Sequence, residues 1–293
     1  MSTPKSGSNP RRLFPTAKED AHAAKKVADS AQCRSSAYRL AFQDPDFLLR
    51  DELRPIRLQL ELLKPELVQV EKKIESTVVI FGSARIKEPE VAQQALAALE
   101  ARANKLPDDP DLEAALRKAR HDARMSRFYG EARELGQLIS SHTDEHKLVV
   151  ITGGGPGIME AANRGADDVG ALSIGMNIVL PFEQDPNPYT TPELCFQFHY
   201  FAIRKMHLIM RAKCMVAFPG GFGTMDELFE TLTLIQTKKI KPMPVLLFGQ
   251  AFWNRVINFE ALVEEGTISK SDLSIFRFVE SAREAWDIIK YLN

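Results

Sequence analysis

Apolar residues in this chain gather into short unbroken runs. Thr77-Val78-Val79-Ile80-Phe81 is the first, and it ends in Gly82-Ser83. Leu148-Val149-Val150-Ile151 is the second, and Leu172-Ser173-Ile174-Gly175-Met176 the third. Cys195-Phe196-Gln197-Phe198, Met215-Val216-Ala217-Phe218 and Pro244-Val245-Leu246-Leu247-Phe248 follow, and Phe276-Arg277-Phe278-Val279 closes the series. Most of these runs lack polar alternation, which suits parallel strands covered on both faces. Between them the pattern turns helical, over residues 128–140, 158–166, 201–212 and 228–235. Strands alternating with helices predict an α/β fold: a Rossmann-like, doubly wound, mostly parallel sheet with helices on both faces.

The pattern is different before the first strand. Residues 1–35 are rich in Ser, Pro, Ala, Lys and Arg with little periodicity, the composition of a disordered tail. Residues 36–75 read as a helical extension. Leu53, Ile56, Leu58, Leu60, Leu62 and Leu63 recur among charges within 45–74, and Pro65 is expected to interrupt or restart the helix. Residues 76–293 form the main domain. Within it, residues 87–126 are charged and Ala-rich with Pro107 and Pro110 in the middle, which predicts two inserted helices.

Two strands lead into glycine-rich turns, Thr152-Gly153-Gly154-Gly155-Pro156-Gly157 and Pro219-Gly220-Gly221-Phe222-Gly223-Thr224-Met225-Asp226-Glu227. A turn between a buried strand and a helix start offers unpaired N–H groups and a positive dipole end to an anion, most often a phosphate. Both turns should lie at the carboxyl edge of the sheet, where open α/β sheets bind ligands, together with Gly82-Ser83-Ala84-Arg85. Neither is a dinucleotide loop. The sixth position of G-x-G-x-x-G is Ile158 from Gly153, Glu160 from Gly155 and Asp226 from Gly221. No lysine follows either turn, so the nucleoside-triphosphate loop fails as well.

Several side chains near the turns have two readings each. Thr224 and Glu227 form T-x-x-E, either a capping box on the first helical turn or a carboxylate beside the ligand. Glu160 either complements the dipole of its helix or meets a sugar hydroxyl. Arg204-Lys205 is either a solvated helix face or a clamp on phosphate and ribose oxygens. Asp226 and Glu230 read as dipole complement and surface. Arg85 either reaches the ligand or sits in a salt bridge.

Charge and composition remove other classes. A formal net charge of −1 lacks the basic excess of a nucleic-acid binder, so no nucleic-acid partner is expected. No apolar run reaches about 18 residues, so no membrane partner is expected, and the N-terminus shows no signal-peptide core. Cys33, Cys195 and Cys214 are far apart and odd in number, which predicts reduced thiols in a cytoplasmic protein. His199 and His207 flank Arg204, with Cys195 nearby, but lack the further ligands of a metal site, so no metal is expected. Phe196, Phe198, Tyr200 and Phe201 read as mostly core. No G-x-S-x-G elbow announces a Ser-His-Asp triad.

The motif PGGxGTxxE, met at every fixed position from Pro219 to Glu227, resembles the signature of the Lonely Guy (LOG) family. Its members are nucleoside 5′-monophosphate phosphoribohydrolases, often mislabelled lysine decarboxylases. Thr152-Gly-Gly-Gly-Pro-Gly157-Ile-Met-Glu-Ala-Ala162-Asn-Arg-Gly165 resembles the family's second glycine motif, Phe81-Gly82-Ser83-Ala84-Arg85 its first-strand motif, and Arg204-Lys205 its catalytic pair. The resemblance spans about residues 76–290, with four separated motifs in order. The N-terminal extension and the 87–126 insertion depart from the short plant-type pattern and resemble the longer bacterial branch.

The resemblance implies cleavage of the N-glycosidic bond of AMP or N6-modified AMP (cytokinin nucleotides) to free base and ribose 5-phosphate. It implies an oxocarbenium-like transition state. Glu227 and Arg204 would be catalytic. Ser83, Gly154, Gly155, Glu160, Lys205, Gly220, Gly221, Gly223 and Thr224 would bind substrate. No cofactor would be needed, and the protein would be a homodimer or larger homo-oligomer whose partner subunit helps close the site. Lysine decarboxylation would need a pyridoxal-binding lysine in a matching fold, for which nothing in the sequence argues. The alternatives are a non-catalytic nucleotide sensor of the same fold and a phosphoribosyl transferase.

Overall fold

The computed structural model describes residues 14–25, 28–104, 109–142, 147–181 and 185–292, in two compact units, Met1–Leu60 and Glu61–Asn293. In the first unit, helices α1 (Ala17–Ala23) and α2 (Ala31–Arg34) bury no residue and are capped by the hydroxyls of Thr16 and Ser30. Residues 1–13, 26 and 27 of the expected tail lie outside the described residues. Helix α3 (Pro45–Leu48) follows, then α4 (Arg54–Glu71), within which the second unit begins.

Helix α4 runs unbroken through Pro65, where the sequence pattern predicts an interruption. Proline has no N–H for the carbonyl four residues back. That carbonyl, Glu61 O, is bonded instead by His207 Nε2 at 3.2 Å, and Gln69 Nε2 donates to Pro65 O at 3.2 Å. The His207 side chain thus replaces the donor that the proline removes.

The second unit continues with β1 (Ser76–Phe81), α5 (Pro89–Ala103), α6 (Pro110–Met125), α7 (Arg127–Ser140), β2 (Leu148–Thr152) and α8 (Ile158–Asp168). After these come β3 (Ser173–Ile178), β4 (Cys195–Phe198), α9 (Phe201–Met210), β5 (Ala212–Ala217) and α10 (Phe222–Gln236). The chain ends with β6 (Val245–Phe248), α11 (Gln250–Val256), α12 (Phe259–Glu264), β7 (Phe276–Val279) and α13 (Ala282–Ile289). Helices α5 and α6 fall within residues 87–126. Pro107 lies outside the described residues, whereas Pro110 opens α6 with Asp109 as its cap.

The seven strands form one sheet in the order β4-β3-β2-β1-β5-β6-β7, and every neighbouring pair is parallel. The expected mostly parallel sheet is therefore wholly parallel. Successive residues of β1 face opposite cores. Val78 and Ile80 pack with α7, α8 and α13, through Leu135, Ile158 and Ala285 among others. Val79 packs with the other layer, through Leu208 of α9, Leu228 of α10 and Trp253 of α11. Full burial of such side chains contributes about 1.5–3 kcal/mol each. No helix among the described residues is long and apolar enough to cross a membrane.

The winding order points to where a ligand crevice is expected. The chain builds outward from β1 to β4, then returns to the other side of β1 to lay down β5, β6 and β7. The direction reverses between β1 and β5, and ligands of open α/β sheets bind outside the carboxyl ends of strands at such a point.

Candidate active site

The segments leaving β1 and β5 are stitched together at the switch point. Phe218 N donates to Phe81 O at 2.8 Å, and Ser83 N donates to Pro219 O at 2.9 Å. The other glycine turn joins them through Ile158 N, which donates to Ser83 O at 3.2 Å. That approach requires glycine at 157, where φ is +73° and a Cβ would collide with Ser83 O. The result is a cavity of about 520 Å³, lined by residues 82–85 after β1, Met159 of α8, Arg204 of α9, and residues 221–225 and 227.

Helix α10 begins at Phe222, six residues before its apolar pattern becomes visible at Leu228. Gly221 is the N-cap, in extended conformation, and no side chain caps the helix. The N–H groups of Phe222, Gly223 and Thr224 therefore have no intrahelical acceptor and stand at the positive end of the dipole, on the cavity wall. This early start removes one of the two roles read for Glu227, that of a cap. Thr224 is the third residue of the helix, not its cap, so the T-x-x-E capping box does not form. Glu227 lies on the second turn rather than the first, with its side chain facing inward.

Glu227 is 3% exposed, and its Oε1 lies 3.6 Å from Arg204 Nη1. Burial pushes its carboxyl up to about 7, against the opposing pull of Arg204 and Lys205. Burial likewise pulls the Arg204 guanidinium below its ordinary value, against the pull of Glu227 and Asp226. Arg204 Nε donates to Met176 O in β3 at 2.7 Å. Space for the guanidinium comes from Gly153, where a Cβ would stand 2.6 Å from Arg204 Nη2. The second glycine turn thus seats the arginine.

The remaining sequence candidates divide. Ser83, Gly221, Gly223 and Thr224 line the cavity with Glu227 and Arg204, and so does Arg85. Gly220 packs directly against Thr224, where a Cβ would collide with Thr224 Oγ1. Lys205, Glu160, Gly154 and Gly155 are not on the cavity wall. Lys205 Nζ is held by Asp226 at 2.8 Å and Glu230 at 3.0 Å, the two carboxylates read from sequence as dipole complement and surface. Glu160 accepts from Tyr129 Oη at 2.8 Å, and Tyr129 in turn meets Arg164. Gly154 O accepts from Asn187 N at 2.8 Å, and Gly155 O from Asn187 Nδ2 at 3.1 Å.

Asn187 is a residue that sequence reasoning missed. Its Nδ2 also reaches Asn163 Oδ1 at 3.0 Å, and Asn163 meets Thr152 Oγ1 at 2.7 Å, so a buried amide network braces the glycine turn. An asparagine in a loop carries no periodic signal that would mark it. His207 is buried, and His199 stacks edge-on against Tyr200. No group of three potential metal-binding side chains occurs among the described residues.

The arrangement can bind an anion at the α10 N-terminus and present a buried carboxyl and guanidinium to what the anion is attached to. The sequence of this domain also matches known proteins. A family model described as "Possible lysine decarboxylase" matches residues 159–289. The cytokinin riboside 5′-monophosphate phosphoribohydrolase LOG3 of Arabidopsis thaliana is 30% identical over 57% of this chain and 75% of its own length. The probable cytokinin riboside 5′-monophosphate phosphoribohydrolase LOG4 of Oryza sativa subsp. japonica is 30% identical over 54% of this chain and 67% of its own. Among solved structures, the Moco carrier protein from Chlamydomonas reinhardtii is 19% identical with a TM-score of 0.44, covering 74% of this chain and 97% of that one. On the sequence relationship with its phosphoribohydrolase relatives, the chain belongs to the Lonely Guy (LOG) family.

Proposed function

We propose that the protein hydrolyses the N-glycosidic bond of a nucleoside 5′-monophosphate, with AMP or N6-modified AMP as substrate. The observation that carries this reading is the buried Arg204–Glu227 pair beside an uncapped helix start in one cavity. The 5′-phosphate would sit on the N–H groups of Phe222, Gly223 and Thr224, with Ser83 and Arg85 nearby. The ribose would then extend toward Glu227 and Arg204. Binding energy from the phosphate, remote from the reacting bond, orients the sugar.

The C1′–N bond breaks with its electron pair passing to the base, which takes up a proton from solvent. Water adds to C1′ and gives its proton to Glu227. A carboxyl near pH 7 is matched to that exchange, because it takes and returns a proton at little cost around neutrality. Arg204 would hold ribose or phosphate oxygens and keep a share of Glu227 ionised.

The test is incubation with AMP, GMP, CMP and N6-isopentenyl-AMP while free base and ribose 5-phosphate are measured. Base release is expected from AMP or its N6-substituted form. Glu227→Gln is expected to lower kcat by about 10²–10⁴-fold while the protein stays folded. No base from any nucleotide defeats the reading, and stoichiometric AMP binding without release makes the protein a nucleotide sensor. Product formed only with an acceptor other than water makes it a transferase.

A further inference from the structure

Arg204 reaches the cavity from α9, and α9 is gripped from outside the cavity by one short stretch of α4. The Glu61 carboxylate accepts from His199 N at 2.7 Å and from Tyr200 N at 3.2 Å. Tyr200 is the N-cap of α9 and supplies no side-chain cap of its own. A carboxylate from another helix therefore stands at the positive end of the α9 dipole. The carbonyl of the same residue, left without its intrahelical donor by Pro65, accepts from His207 Nε2 in the second turn of α9. At the far end Arg211, the C-cap of α9, makes two contacts of 2.5 Å with Glu66 and donates Nε to Ile74 O at 3.0 Å.

These ties fix chemical states as well as position. A carbonyl can only accept, so His207 carries its proton on Nε2. His207 is 2% exposed and its Nδ1 has no partner, so burial holds the imidazole neutral. The Arg211 bonds hold the Glu66 carboxyl below its ordinary value. None of Glu61, Glu66, His207 and Arg211 lines the cavity, so their arrangement serves something other than ligand contact.

The grip bears on Arg204 because that side chain has little tolerance. Its Nε bond to Met176 O is 2.7 Å long, and its Nη1 is already 3.6 Å from Glu227. A slide of α9 by about 1 Å would break the first contact and open the second, and misplacement on that scale costs about 10²-fold in rate. We propose that residues 61–66 form a three-point clamp that sets the register of α9, with Glu61 as a positioning residue for Arg204. Its kinetic consequence rests on the phosphoribohydrolase reading, whereas its effect on the Arg204–Glu227 pair does not.

The experiment therefore reads both. Wild type, Glu61→Gln, Glu61→Ala, Arg204→Ala and the Glu61→Ala/Arg204→Ala double variant are labelled with ¹³C at glutamate carboxyls, and Glu227→Gln assigns the Glu227 signal. Glu227 faces Arg204 and Lys205 from α9, and Asp226 and Glu230 from its own helix. Both cations ride on the clamped helix. Glu61→Ala is expected to raise the Glu227 titration midpoint by roughly half a unit or more, with Glu61→Gln between it and wild type. In base release from AMP, Glu61→Ala is expected to lower kcat about 10–100-fold, with KM changing less. On the Arg204→Ala background the same change should have little further effect on rate.

A folded Glu61→Ala protein with the wild-type Glu227 midpoint overturns the proposal. Full multiplicativity with Arg204→Ala overturns it as well, because the clamp would then act on something else. If Glu61→Ala does not fold, Glu61→Gln carries the titration under the same criterion. If no nucleotide is hydrolysed, the carboxyl titration alone decides, so the failure of the clamp and the failure of the activity are separate results.

Discussion

Glu227 is a carboxyl under two opposed influences. Leaving water disfavours its charge, and a guanidinium 3.6 Å away favours it. Burial is the larger effect, so the folded protein holds this proton up to about pH 7, whereas the unfolded chain releases it near 4.5. Between those values the folded state binds more protons than the unfolded state, so stability falls as pH rises. The contribution is complete below about pH 4.5 and is lost as pH passes about 7. Glutamine cannot titrate. The Tm of Glu227→Gln, relative to wild type, is therefore expected to climb by about 2–4 °C or more between pH 4.5 and 8. Thermal melts at several pH values measure it, and a flat difference across that window would mean that Glu227 does not titrate there.

At the scale of elements, the start of α10 is the proposed anion site. The cradle consists of backbone N–H groups, so a side-chain scan cannot remove it, but proline can. Phe222 is the first residue of the helix and follows Gly221 in extended conformation, the setting proline favours. Phe222→Pro deletes one donor without disturbing the turn, and Phe222→Ala controls for the exposed ring. The alanine variant is expected to bind inorganic phosphate like wild type, and the proline variant about 10-fold more weakly, by calorimetry. Equal affinities in all three would remove the anion from this helix start. The strands were legible in sequence because parallel strands buried on both faces leave unbroken apolar runs such as residues 77–81. The first turn of α10 was not, because Phe222, Gly223 and Thr224 carry no helical period, and so Glu227 stayed balanced between cap and ligand neighbour. The clamp on α9 was invisible for another reason. Glu61 and His199 are 138 residues apart, and neither belongs to a motif that names the other.

Over the whole molecule, the cavity draws its walls from segments that only the completed sheet brings together. Residues 82–85 follow β1, Met159 lies on α8, Arg204 on α9, and residues 221–225 and 227 lie in the turn and helix after β5. No subset of consecutive residues contains the site, so an unfolded chain has no means of binding the ligand. Ligand binding and folding are then linked, and a ligand at about 100 times its Kd adds about 2.7 kcal/mol to stability. For a unit of this size that corresponds to several degrees in Tm. On the proposed activity wild type would consume AMP during the melt, so Glu227→Gln is the protein to use. Its Tm is expected to rise with AMP concentration, and ribose 5-phosphate should produce a rise in wild type. Adenosine, which lacks the phosphate, should do much less if the helix start holds the anion as proposed. Adding Arg204→Ala should weaken the AMP response without abolishing the phosphate-dependent part. If adenosine stabilised the protein as well as AMP, recognition would run through the base, and the helix start at Phe222 would not be the anchor.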